Sequence, residues 1–437
     1  MASPDGTVTE YIPQNVGIRS FAIEDGLMKV NGKRVVFHGM NRHEFGARGR
    51  VMTREETESD LKLLKAAGFN AIRTSHYPNS SFFYELADTY GFYVIDEMNL
   101  ESHGSWSAHI RGEITAEQVI PGSHPEWRDT LLDRATSMLE RDKNHPSIVI
   151  WSCGNESFGG SNIAAVADYF RATDSRPVHY EGVTFDNRFP ESTDIHSQMY
   201  TPAEKIEEFI AANPDKPFIV CEFAHAMGNS FGAVHKYVDL AYREPLFQGF
   251  FIWDFADQTL ALTDRHGNTF AGYGGDFGES PHDAEFSANG LFFADRTPKP
   301  FLQEVKYLFQ PLHITVERDG FEVTNRHLFT PTSAYECVVT LAREGRELAS
   351  GVVATDVAPG ESSRFPLPFD LPTAGGEFTL DVSFRQRTST AWAGAGHEVA
   401  FGQGVLGTRP IDGAASPDPA RRAGAGGTAA GPLRRST

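Results

Sequence analysis

Ser-Ile-Val-Ile-Trp-Ser-Cys-Gly-Asn-Glu-Ser, residues 147–157, is an apolar run that stops abruptly on a polar, acidic turn. Residues 148–151 have the unbroken β-branched and aromatic character of a strand covered on both faces. Ahead of it, Trp127, Leu131, Ala135 and Met138 recur at helical spacing, and the pattern stops before Pro146. We read that stripe as core packing. Helix, buried strand and polar turn make the repeating unit of a parallel α/β fold.

The unit recurs on both sides. Strand candidates fall at residues 35–37, 70–73, 92–95, 147–151, 178–180, 194–199, 218–221 and 249–253. Thr53-x-x-Glu56 is a capping box opening a helix that carries Leu61, Leu64 and Ala67. Eight strands with intervening helices predict an α/β fold, a (β/α)8 TIM barrel over 31–307, whose chemistry belongs at the C-terminal strand ends. Upstream, 1–17 are polar and turn-rich, and 21–29 and 33–37 read as strands joined through Asn31-Gly32. Downstream, short alternating runs at 313–317, 321–325, 334–342, 351–353 and 378–384 predict a β-sandwich over 308–403. Residues 404–437 are rich in Gly, Ala, Pro, Arg and Ser, and predict a disordered tail.

Composition narrows the function classes. A chain of 437 residues exceeds one typical domain, and 40% hydrophobic residues supply an ample core. A formal net charge of −19 repels phosphate backbones and argues against nucleic-acid binding. No apolar run approaches the roughly 20 residues of a membrane helix. The first residues lack a basic segment followed by an apolar one, and Cys153, Cys221 and Cys337 form no spacing motif. Both features predict a cytoplasmic protein with free thiols.

The turns at the strand ends carry the chemistry. The first strand leads to His43 and Glu44, the second to Arg73 and His76, the third to Asp96, Glu97, Asn99, Glu101 and His103. The fourth leads to Asn155 and Glu156, the sixth to Tyr200, the seventh to Glu222 and His225, and the eighth to Trp253 and Asp254. Titratable groups gathered at one end of nearly every strand point to an active site. Glu156 and Glu222 are the key pair: two carboxyl groups about 5–5.5 Å apart suit a double-displacement glycosidase. On spacing alone, structural ion pairing is the competing reading.

The strings Asn41-Arg-His-Glu44, Ser75-His-Tyr-Pro-Asn79, Gly154-Asn-Glu-Ser157, Cys221-Glu-Phe-Ala-His-Ala-Met-Gly-Asn-Ser230 and Ala288-Asn-Gly-Leu-Phe-Phe-Ala-Asp-Arg296 resemble those of bacterial β-galactosidases of glycoside hydrolase family 2, from about residue 18 to 403. The resemblance implies a retaining β-galactosidase acting on lactose-type substrates, with Glu222 as nucleophile and Glu156 as acid/base. It implies Asn155 on the sugar 2-hydroxyl, His43, His76 and His225 on other hydroxyls, Tyr200 beside the nucleophile, and Trp253 as the apolar floor. It implies Mg²⁺ on Glu101, His103 and Glu156, and Na⁺ on the Phe286 carbonyl and Asn289. The partner is then a small carbohydrate, and a homo-oligomer fits the family habit. The sandwich resembles the family's immunoglobulin-like domain, and residues 1–30 read as an N-terminal segment with the remnant of a preceding β domain. The family's jelly-roll domain, which supplies a sodium-binding aspartate, and its C-terminal domain have no counterpart. Two alternatives therefore stand beside the main reading: another family 2 specificity such as β-glucuronidase or β-mannosidase, and a fragment that folds with little or no turnover.

Overall fold

In the computed structural model, which describes residues 4–11, 13, 15–372 and 376–407, the first strands are β1 (Phe21–Glu24), β2 (Leu27–Val30) and β3 (Lys33–Arg34). The strand expected over 21–29 is broken, because Asp25 and Gly26 both take positive φ, 55° and 75°, and make a tight hairpin turn. Asn31-Gly32 forms the next turn, joining β2 to β3.

Eight strands then build one parallel sheet: β4 (Phe37–Asn41), β5 (Ala71–Arg73), β6 (Tyr93–Glu97), β7 (Ile148–Ser152), β8 (Val178–His179), β9 (His196–Met199), β10 (Phe218–Phe223) and β11 (Phe247–Ile252). Their spatial order is β8-β7-β6-β5-β4-β11-β10-β9, with every neighbouring pair parallel. The two ends of the sheet meet just ahead of β9, where Asp194 N donates to Val178 O at 2.8 Å. The result is the nearly closed (β/α)8 barrel that the alternation predicts.

The helices are α1 (Arg54–Ala66), α2 (Ser81–Tyr90), α3 (His103–Ile110), α4 (Pro125–Asp142), α5 (Ser161–Thr173), α6 (Ala203–Ala212), α7 (Val234–Arg243) and α8 (Leu302–Leu308). The connection from β8 to β9 holds only short 3₁₀ turns. Thr53 and Glu56 cap α1 reciprocally, at 3.2 and 2.7 Å. Helix α4 buries Leu131, Ala135, Met138 and Leu139. Trp127 departs from the expected stripe: it lies in the first turn, 37% exposed, and lines a surface cleft with Pro121 and Arg134 instead of the barrel wall.

Inside the barrel, Phe37, Ala71, Ile95, Val149, Ile219 and Phe251 pack together, and Met28 and Val30 join them from the hairpin. Gln248 fastens the hairpin there, accepting from Met28 N and donating to the carbonyls of Met28 and Val35, each at 2.8 Å. Residues 21–34 thus plug the N-terminal end of the barrel, which leaves the C-terminal rim for chemistry.

A hairpin of β12 (Leu260–Thr263) and β13 (Thr269–Gly272) comes after the barrel strands. Beyond α8, two antiparallel sheets face each other: β14 (Leu312–Glu317), β15 (Gly320–Asn325) and β18 (Ser362–Phe365) against β16 (Tyr335–Arg343), β17 (Arg346–Val353), β19 (Phe378–Gln386) and β20 (Glu398–Gly407). Strands β18 and β20 are not among the expected ones, and β20 pairs with β19 as far as Gly407, four residues into the expected tail. Its glycines have a packing cause. A Cβ on Gly402 or Gly404 would stand 2.7 Å from the side chains of Ile314 and Val316 on the facing sheet. Residues 408–437, the rest of that expected tail, lie outside the described residues. Among the described residues, no helix is long and apolar enough to cross a membrane, and the three cysteines are buried and free.

Candidate active site

Strand β7 delivers Asn155 and Glu156 through a turn that presses on the β6 loop. Gly154, at φ 127°, would bring a Cβ to 2.6 Å from Leu100, and Asn155 N donates to Leu100 O at 2.9 Å. Glu156 itself has φ 36°, a conformation non-glycine residues adopt only when their surroundings impose it. Its backbone N–H donates to the buried carboxyl of Glu181, which burial pushes well above the ordinary range. Strand β10 delivers Glu222, and Tyr200 N, leaving β9, donates to Glu222 O at 2.7 Å.

Arg73, at the end of β5, connects these pieces. Its Nη1 donates to Glu222 Oε1 at 2.9 Å and to Asn41 Oδ1 at 3.0 Å, its Nη2 to Asn155 Oδ1 at 2.7 Å, and its Nε to Glu97 Oε2 at 2.8 Å. Burial works against the guanidinium charge, but Glu97 and Glu222 more than offset it. Burial likewise opposes the charge on Glu97, yet Arg73 and His76 hold that carboxyl down to about 2. The second oxygen of Glu222 accepts from the Tyr200 hydroxyl at 2.8 Å. Burial and the neighbouring carboxylate push that phenol far above its usual range, so it remains a donor. His76 Nδ1 lies 2.8 Å from Glu97 Oε1, with Nε2 at 3.6 Å from Glu222 Oε1.

Aromatic rings wall the space above. His76 stacks on Trp253 with centroids 5.1 Å apart and planes 12° apart, and His43 meets the same indole edge-on at 5.4 Å. His43 Nδ1 sits 3.1 Å from the Tyr77 hydroxyl, and burial holds this imidazole well below its usual range, hence neutral. His225 lies between Tyr200 and Phe286, at 6.2 and 5.6 Å. Strand β11 leads into Trp253 and Asp254; burial pushes Asp254 up to about 8, and its backbone N–H donates to Asn289 O at 3.0 Å.

Two places have the donors a cation needs. Glu101, His103 and Glu156 each offer one ligand atom, all within 4.8 Å of one another, with His103 Nδ1 directly on a Glu156 oxygen. Near Asp254, Asn289 Oδ1 is buried and has no hydrogen-bond partner among the described residues. An orphaned buried acceptor of this kind invites an ion or water. In the sequence, Arg73, Glu97 and Asp254 stand at strand ends with no task of their own, and Asn41 and Glu181 give no sign of one. Only the barrel's closure brings Arg73 to Glu222, 149 residues on, and Glu181 to the backbone of Glu156, 25 residues back.

A (β/α)8 barrel with two glutamates at its C-terminal rim is an arrangement that glycoside hydrolases use. The model of the glycosyl hydrolases family 2 TIM barrel domain matches residues 21–314, and that of β-galactosidase domain 4 matches 321–407. The chain belongs to glycosyl hydrolase family 2. It is 49% identical over 407 residues to a β-galactosidase of Halalkalibacterium halodurans, covering 92% of this chain and 40% of that protein. It is 47% identical over 410 residues to one of Priestia megaterium, covering 92% and 39%. The chain thus spans about two fifths of the length of these relatives. Among solved structures, a Ruminococcus gnavus β-glucuronidase superposes with TM-score 0.52 at 23% identity, over 67% of this chain and 53% of that one, a likeness of fold.

Proposed function

We propose that this chain carries the catalytic barrel of a retaining β-galactosidase that releases terminal β-D-galactosyl residues from lactose-type substrates. The observation that carries the reading is the Arg73 fork, one guanidinium binding both Glu222 and Asn155, the residue before Glu156. Arg73 and Tyr200 fix the plane of the Glu222 carboxylate, so an oxygen is presented to the anomeric carbon as nucleophile. Glu156 protonates the leaving glycosidic oxygen; the galactosyl–Glu222 ester then yields to water that Glu156 deprotonates. Asn155 has Oδ1 engaged by Arg73 and one amide hydrogen by Glu101 at 2.9 Å, and the other amide hydrogen serves the sugar 2-hydroxyl. Trp253 offers an apolar face to the C–H side of the pyranose, and His43, His76 and His225 meet its hydroxyls.

Glu101, His103 and Glu156 would hold Mg²⁺, a donor set of two carboxylates and an imidazole that leaves sites for water. A bound dication supplies positive charge beside the acid/base and restrains its rotamer. Asn289 Oδ1, orphaned and buried, with the Phe286 carbonyl, would hold Na⁺. Three buried free thiols support a reducing, cytoplasmic setting.

A panel of nitrophenyl glycosides tests the reading. Hydrolysis of the β-galactoside in preference to the β-glucuronide and β-mannoside, lost in Glu222→Gln, is expected. Preference for another glycoside would overturn the specificity, and a folded chain that turns over none would withdraw the activity.

A further inference from the structure

A deep cleft lies far from Glu222, at the N-terminal end of the barrel strands where the sandwich docks. It encloses about 590 Å³. Its lining draws on the start of β4, the end of α1, α7, α8 and the sandwich strands. In a chain of net charge −19, this lining contains Arg34, Lys65, Lys306 and Arg326 and not one aspartate or glutamate. Such a concentration of one sign within a walled cleft focuses positive potential into it.

The cations differ in what already occupies them. Arg34 is engaged by the carbonyls that end α7, at 2.8 to 3.3 Å. Lys65 reaches the Gly91 carbonyl at 3.1 Å and lies over the Phe92 ring at 5.0 Å, with no carboxylate partner among the described residues; burial lowers its ammonium to about 8. Arg326 sits over the Tyr242 ring, its guanidinium carbon 3.7 Å from the centroid, and has no ion pair or side-chain hydrogen bond among the described residues. Stacking on a ring leaves the N–H edge of a guanidinium free for an anion. Lys306 also has no ion pair or side-chain hydrogen bond there. His397 Nε2 is buried without a hydrogen-bond partner among the described residues, and His327, which burial and Lys65 bring to about 4, is a neutral imidazole bonded to the Tyr335 hydroxyl. Trp392, Tyr335 and Phe329 give the same cleft planar apolar walls.

We propose that this cleft is a binding site for an organic phosphate carrying a planar ring, the nucleoside monophosphate class, held by Arg326 and Lys306 at the phosphate and by the aromatic walls at the ring. Guanidinium–phosphate pairing is charge-assisted and directional, and the cavity lies within the size range of small-molecule sites. The site is independent of the glycosidase chemistry at the opposite end of the barrel.

Calorimetric titration of the full chain with AMP, inorganic phosphate and adenosine tests it. AMP is expected to bind with Kd below about 1 mM, with phosphate and adenosine each at least about tenfold weaker. Lys306→Gln and Arg326→Gln should each weaken AMP at least about tenfold, while Glu222→Gln binds as the parent does. Among the described residues Lys306 has no ion-pair or hydrogen-bond partner to lose, so its variant is expected to fold as the parent does, and a matching circular dichroism melt checks this. Absence of AMP binding, or binding unchanged in both variants, would overturn the proposal. Phosphate binding as tightly as AMP would remove the ring from it.

Discussion

Arg73 Nη1 lies 2.9 Å from Glu222 Oε1, and the remaining nitrogens of the same guanidinium bind Asn155 and Glu97. One fully buried cation therefore sets the position of the nucleophile relative to the residue that precedes the acid/base.

A lysine there keeps the charge but not the fork. Arg73→Lys should lower kcat about a hundredfold, the loss of about 3 kcal/mol of charge-assisted hydrogen bonding, while the far-ultraviolet circular dichroism stays unchanged. Arg73→Met leaves Glu97 and Glu222 buried without their counterion, and chemical denaturation should show a loss of about 3–5 kcal/mol. An Arg73→Lys enzyme with parental kcat would show that the fork is only structural.

Tyr200 offers a cleaner separation of chemistry from stability, because the residue sits at the rim outside the packed core and its hydroxyl donates to Glu222 Oε2 at 2.8 Å. Tyr200→Phe should lower kcat about 10- to 100-fold, as expected for one hydrogen bond to a charged group, with KM for nitrophenyl galactoside little changed. A raised KM at unchanged kcat would instead make Tyr200 a substrate-binding group.

The barrel was legible because its strands are short, apolar and each succeeded by a polar turn, so Asn155-Glu156 and Cys221-Glu222 mark the rim by themselves. The task of Arg73 was not legible: in Ala71-Ile72-Arg73 it reads as a polar residue closing a strand, and its partners come from four other strands or their loops. Glu181 was hidden for the same reason, since its partner is the backbone of Glu156. At the end of the sandwich, composition misleads. Gly404 and Gly407 look like the start of a low-complexity tail, yet Gly404, like Gly402 before it, is small because β14 passes against it. Trp127 keeps the helical phase of Leu131 but sits in the first turn of α4, off the barrel wall.

Buried histidines set the acid limit of stability. His179, between Ser152 and Ser197 and near Arg73 and Glu97, is brought to about 3 by burial, and His38, between Phe309 O and Tyr242 and near Arg326, to about 4. The unfolded chain takes up protons at both near pH 6.5 and the folded chain does not. Their contribution is therefore full above that pH and is lost as pH drops from 6.5 toward 4, by about 1.4 kcal/mol per pH unit for each histidine. Glu97, depressed to about 2, adds a further loss below its ordinary value of 4.5. Asp254 and Glu181, whose carboxyls burial raises, oppose this slope because they bind protons in the folded chain. The test is therefore the difference in denaturation between parent and variant: from pH 6.5 to 4, His38→Gln should lose stability less steeply than the parent, by about 1.4 kcal/mol per pH unit.

Removal of the dication should act on both stability and rate. If Glu101, His103 and Glu156 hold Mg²⁺, saturating metal raises the thermal midpoint, the equivalent of about 2.7 kcal/mol at a hundred times Kd, and chelation reverses it. His103→Ala should abolish the metal-dependent shift. A midpoint indifferent to Mg²⁺ in the parent chain would remove the ion from this cluster.

The central claim, that Glu222 is the nucleophile of a retaining mechanism, is tested most directly by trapping. The chain is incubated with an activated 2-deoxy-2-fluoro-β-galactoside and the labelled peptide is located by mass spectrometry. The account predicts a single galactosyl adduct on Glu222, absent in Glu222→Gln. An adduct on Glu156 or another residue, or no adduct in a chain that hydrolyses nitrophenyl galactoside, would contradict it.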